Sequence, residues 1–219
     1  MSLAVIGGSG LTHLDDLVIG HREMVHTPYG QPSGPVVHGQ LAGVPVMFMA
    51  RHGQGHTIPP HQINYRANLW ALQKAGATRI AAIAAVGGIA ENLQPGDIAI
   101  PEQIIDYTYG RESTFFDGDP VKHIDFTEPY DAEIRESLIR AARHSDISVL
   151  SGGCYGATQG PRLETAAEIQ RLAQDGCTMV GMTGMPEAAL ARELGLAYAT
   201  CALVVNRGAG LNNGKPITM

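Results

Sequence analysis

One arrangement recurs along the chain: an apolar stripe at helical spacing, a glycine, then a run that is apolar at nearly every position. The segment 62–75 (QINYRANLWALQKA) places Ile63, Ala67, Trp70, Ala71 and Leu72 near one face, which predicts a helix. Gly76 stands where a helix-ending glycine belongs, and RIAAIAAV follows as a strand. The segment 164–175 (ETAAEIQRLAQD) repeats the plan, with Ala166, Ile169, Leu172 and Ala173 inward, then Gly176 and the strand CTMVGM. A third copy starts at Pro186, a residue suited to the first helical position. It runs through PEAALAREL to Gly195 and the strand LAYATCALVV. Strands apolar on both faces, each fed by a helix, predict an α/β fold around a mixed or parallel sheet covered on both sides.

The first sixty residues follow another pattern. Short strands are expected at LAVIG, GPVVHGQLA and VPVMFMA, with turns at Gly43-Val44-Pro45 and Tyr29-Gly30-Gln31-Pro32. Residues 108–130 are polar, rich in Asp and Gly, and punctuated by Phe115, Phe116 and Phe126, which reads as a long functional or interface loop. No linker or low-complexity segment divides the chain, so 1–219 is read as a single domain. The sequence stops at NNGKPITM, where Thr218 would cap a further helix, so a closing C-terminal helix is expected to be missing.

Composition narrows the class. The chain has 219 residues, 44% of them hydrophobic, enough for one good core. The net charge of −6 removes any global basic field for nucleic acid, so an anionic ligand needs a local pocket. Cys154, Cys177 and Cys201 show no C-x-x-C spacing and are expected as buried reduced thiols. No run approaches a membrane span and no basic leader precedes one, which makes a soluble cytoplasmic protein the expectation.

Candidate chemistry gathers at strand ends, where α/β sheets bind ligands. Gly7-Gly8-Ser9-Gly10 can turn backbone N–H groups toward an anion. Arg51-His52 ends VPVMFMA and offers a phosphate-matched fork. Gly87-Gly88, the segment Gln159-Gly160-Pro161-Arg162-Leu163-Glu164, the segment Met182-Thr183-Gly184-Met185-Pro186-Glu187, and Asn206 occupy equivalent places. His52, His56 and His61 lack a carboxylate or Cys partner nearby, so no metal is expected.

These pieces, in order, carry a resemblance. GGSGL, ARHGQGHTIPPHQINYRANLWAL, AVGGI, QPGDI, DFTEPYD, GPRLETAAE, VGMTGMPEAALARELGL and ALVVN are similar to the trimeric purine nucleoside phosphorylase and methylthioadenosine phosphorylase family over almost the whole chain. The chain looks closest to the bacterial methylthioinosine branch. The resemblance implies a nucleoside phosphorylase-like single domain, a homotrimer, and phosphorolysis of a purine nucleoside. It implies no metal or organic cofactor, inorganic phosphate being a co-substrate. It assigns phosphate to Gly8, Ser9, Arg51, His52, Ala85 and Thr183, with Arg51 and His52 as its cations. It assigns the nucleoside to Gly87, Leu163, Glu164, Met182, Asn206, Gly208 and Met219, and it makes His123 a residue lent to a neighbouring subunit's 5′ pocket. Asn206, Glu164 and His52 are the implied catalytic residues.

Two of those positions bear on the base. The family's 6-aminopurine enzymes carry Asp where this chain has Asn206, and a second Asp where it has Gly208. Asn can accept from N7–H and donate to O6, and Glu164 can accept from N1–H, so a 6-oxopurine is expected. Met219 and Ile217 at the 5′ position would suit a methylthio group. The expected substrate is therefore 5′-methylthioinosine. A general inosine and guanosine phosphorylase, a methylthioadenosine phosphorylase, and a non-catalytic nucleoside-binding protein are the alternatives.

Overall fold

The computed structural model describes residues 2–118, 120–211 and 217. Its elements follow one another as β1 (Leu3–Gly7), β2 (Leu17–Glu23), β3 (Val36–Leu41), β4 (Val44–Ala50), α1 (Tyr65–Lys74), β5 (Arg79–Gly88), β6 (Ile98–Ile100) and β7 (Gln103–Asp106). Then come α2 (Ala132–His144), β8 (Val149–Ser151), β9 (Cys154–Ala157), α3 (Ala166–Gln174), β10 (Met179–Gly181), α4 (Gly184–Glu193) and β11 (Ala197–Arg207). All strands join one mixed sheet in the order β2-β3-β4-β1-β5-β10-β9-β7, with β11 along the other edge of β5, and β6 and β8 beyond it. This is the single α/β domain that the apolar strands predict.

The alanine-rich β5 lies at the centre of the sheet. Ile80, Ala81, Ala82, Ala84 and Val86 are buried on both faces, and small side chains let the flanking helices approach. Asn64 caps α1 by accepting from the Ala67 N–H, and Ala67, Leu69, Ala71 and Leu72 go into the core while Trp70 is half-buried. Helix α3 opens on a capping box between Thr165 and Glu168. Its buried stripe is narrower than the sequence predicts: Ile169 and Leu172 are buried, but Ala166 and Ala173 are exposed, because only one edge of the helix meets the sheet. Met185 is extended (φ −117°, ψ 140°), so regular α4 starts at Pro186 as expected.

Helix α2, strand β2 and the short strands β6, β7, β8 and β9 escape the reading of the pattern. Helix α2, capped by Asp131, buries only Ile134 and Ile139. Strand β2 is an edge strand with five exposed residues in seven. The 107–131 segment carries no helix or strand among the described residues. It is nevertheless tied down, with Phe115 and Phe126 on the core and the Glu193 carboxylate accepting from the Thr114 hydroxyl and the Phe115 N–H at 2.7 Å each. The cysteines are free, but only Cys177 is buried; Cys154 and Cys201 are half-buried. No helix of the described residues is long and apolar enough to cross a membrane. Thr218 and Met219, with the expected closing helix, lie outside the described residues.

Candidate active site

A mismatch in strand length opens the site. The five-residue β1 pairs with β5 only from Arg79 to Ala82, and β10 joins the same edge only at Gly87 and Gly88. Between them, the edge of β5 from Ile83 to Val86 has no strand beside it. Backbone groups there must find side chains, water or a ligand. The Ile83 carbonyl accepts from Arg51 Nη1 at 2.9 Å. Ala84, Ala85, Val86 and Gly87 line a cavity of about 380 Å³. It lies at strand ends, where a parallel segment changes partner.

The cavity collects most of the candidate residues. Gly8, Ser9, Arg51, His52, Ala85 and Thr183 line it, as do Gly87, Leu163, Glu164, Met182, Asn206, Gly208 and Ile217. His123 is exposed and does not line its own chain's cavity. Met219 falls outside the described residues.

At one end, glycines bring backbone close to the opening. A Cβ on Gly8 would sit 2.5 Å from the Ile83 carbonyl oxygen and 3.1 Å from Arg51 Nη1. Arg51 Nε and Nη2 donate to the two carboxylate oxygens of Glu187 at 2.7 and 2.8 Å, and both residues are 1% exposed. The Tyr198 hydroxyl donates to the same carboxylate at 2.8 Å. Burial works against the Arg51 charge, but Glu187 outweighs it and holds the guanidinium well above its ordinary value. The sequence pattern offers Glu187 only as one member of a strand-to-helix junction. Its role comes from a partner 136 positions away.

Arg51 and His52, the expected phosphate cations, differ in their surroundings. Arg51 keeps its charge, but Glu187 neutralises it locally, and its remaining N–H groups are directional donors. His52 is not a cation at neutral pH. Burial, aided by the Arg51 charge, depresses its pKa to about 4. With Nδ1–H donating to the Ile58 carbonyl at 2.8 Å, Nε2 is left as an acceptor.

At the other end, Asn206 follows a bulge in β11, where the register against β5 shifts between Val204 and Asn206. A Cβ on Gly87 would lie 3.0 Å from Asn206 Oδ1, so this glycine makes room for the amide. Glu164 stands just before the Thr165 cap of α3, and its Oε1 accepts from the Thr158 hydroxyl at 2.6 Å. Asn206, Glu164, Leu163 and Met182 are all half-buried.

Among the described residues, the group able to offer three converging metal ligands is His21, Glu23 and His38, on the β2–β3 ribbon. None of them lines the cavity.

The phosphorylase superfamily profile matches residues 2–217. The chain belongs to the phosphorylase superfamily. A protein of Xanthomonas campestris pv. campestris named probable S-methyl-5′-thioinosine phosphorylase is 54% identical over 221 residues, covering 100% of this chain and 88% of that protein. The 6-oxopurine nucleoside phosphorylase of Pyrococcus furiosus is 48% identical, covering 99% and 83%. The solved methylthioadenosine phosphorylase of Schistosoma mansoni in complex with tubercidin superposes with a TM-score of 0.91 at 36% identity, covering 94% of this chain and 81% of that one.

Proposed function

We propose that this superfamily member cleaves 5′-methylthioinosine with inorganic phosphate, giving hypoxanthine and 5-methylthioribose 1-phosphate. The observation that carries the reading is the placement of Asn206 and Glu164 in one cavity with Gly8, Ser9, Ala85 and Thr183. The latter four offer backbone and hydroxyl donors to phosphate. His52 Nε2 accepts from a protonated phosphate oxygen instead of adding charge. A phosphate oxygen attacks C1′, the bond from C1′ to purine N9 breaks, and the electron pair passes to the purine, which takes up a proton from solvent at N7. Asn206 accepts from N7–H and donates to O6, and Glu164 accepts from N1–H. Met182 packs under the ribose, Leu163 borders the base, and Gly87 and Gly208 leave room for it. Met182 and Ile217 give the 5′ side an apolar lining suited to a methylthio group. No metal or organic cofactor has a part in these steps.

We extend the reading to a cytoplasmic homotrimer in which exposed His123 reaches the neighbouring subunit's 5′ pocket. Sedimentation of the purified chain tests the assembly.

Phosphate-dependent release of free base from methylthioinosine, inosine, methylthioadenosine and adenosine tests the substrate. A wide preference for methylthioinosine is the expected result. Equal rates with inosine would replace the proposal with a general 6-oxopurine phosphorylase. Preference for methylthioadenosine would overturn the reading of Asn206.

A further inference from the structure

Arg111 belongs to the long 107–131 segment and does not line the cavity, yet it joins the two backbone segments that carry the cavity's nucleoside end. Its Nη1 donates to the Met182 carbonyl at 2.8 Å, the Met185 carbonyl at 2.5 Å and the Tyr65 hydroxyl at 3.2 Å. Its Nη2 donates to the Gln159 carbonyl at 2.9 Å and the Thr158 carbonyl at 3.3 Å. Its Nε donates to Gln159 Oε1 at 3.1 Å, an oxygen that also accepts from the Tyr109 N–H. The guanidinium lies over the Tyr65 ring, 5.5 Å from its centroid.

Every hydrogen-bond partner here is neutral, so the cation is spent wholly on ordering backbone carbonyls and two side chains. One set of partners flanks Met182 and Thr183. The other holds Thr158, which in turn donates to Glu164. A planar guanidinium with five donors can bridge both segments at once; an ammonium cannot reproduce that fan.

We propose that Arg111 is a positioning residue that fixes Met182 and Glu164 relative to each other across the nucleoside end of the cavity. The proposal rests on the phosphorolytic reading for its kinetic consequence, but not for its structural one. The loop is then part of the site from below, whatever its tip does at a subunit boundary.

The test compares Arg111→Lys and Arg111→Met with the unaltered protein by steady-state kinetics and by backbone amide exchange. Arg111→Met should lower kcat/KM for the nucleoside by about 100-fold, the cost of a displacement of order 1 Å, with a smaller change in the phosphate KM. Arg111→Lys should recover part of the loss. Amide exchange should rise at 157–164 and 182–186 and stay unchanged in β1 and β4. A fall in active fraction with both KM values and the exchange pattern unaltered would overturn the positioning role. The exchange comparison needs no turnover. If the unaltered protein cleaves none of the nucleosides, the phosphorolytic reading fails while exchange still decides what Arg111 holds.

Discussion

The two ends of the cavity are built differently. The end proposed for phosphate rests on groups fixed before any ligand arrives: a fully buried Arg51–Glu187 pair, a tyrosine on the same carboxylate, and a neutral imidazole tied to a carbonyl. The end proposed for the nucleoside depends on half-buried side chains, such as Glu164 on Thr158 and Asn206 beside Gly87. A deep ionic floor tolerates little change, because removing either partner strands a charge in low dielectric. A rim of separate side chains can be altered one residue at a time.

The largest effect should come from breaking the floor. Glu187→Gln leaves Arg51 without its buried counter-charge and should cost about 3–5 kcal/mol of stability, read from urea unfolding. It should also raise the phosphate KM more than the nucleoside KM. A loss below about 1 kcal/mol would mean that water reaches the pair and that the two ends are not so different.

A change at the rim should spare stability and move specificity. Asn206→Asp replaces a group that can donate to O6 with an acceptor-only carboxylate. The ratio of kcat/KM for methylthioinosine over methylthioadenosine should fall by about 10- to 100-fold, with an unfolding midpoint close to that of the unaltered protein. An unchanged ratio would show that the base is chosen elsewhere.

A third effect is one of pH. In the folded protein His52 titrates near 4, below its ordinary value of 6.5. As pH falls through that window, the unfolded chain takes up the proton first, so stability declines between about pH 6.5 and 4 and is constant in this respect above it. His52→Gln should flatten that part of the thermal-midpoint profile. A profile as steep as before would assign the acid sensitivity to other groups.

Legibility in the sequence follows the range of the interaction. RIAAIAAV is readable as a central strand because every position is apolar, and ETAAEIQRLAQDG as a helix because its cap, its stripe and its ending glycine are all local. Strand β2 (LVIGHRE) is hidden because an edge strand need not be apolar, and β6 to β9 because three or four residues carry no period. Helix α2 has a readable cap in Asp131, but a stripe of two buried residues gives little contrast. Site residues could be named from motifs at strand ends. The partners that set their chemistry could not, since Arg111 and Glu187 act on groups distant in the chain.

By itself the sequence determined three of the helices with the glycines that end them, the long apolar strands, and the glycine turns that bring small and polar residues to strand ends, because spacing and backbone conformation are properties of neighbours. Only the tertiary structure decided the open edge of β5, the neutral state of His52 and the neutralised charge of Arg51. Strand register and the loss of water around a charge depend on which distant segments pack together, and no local pattern records that.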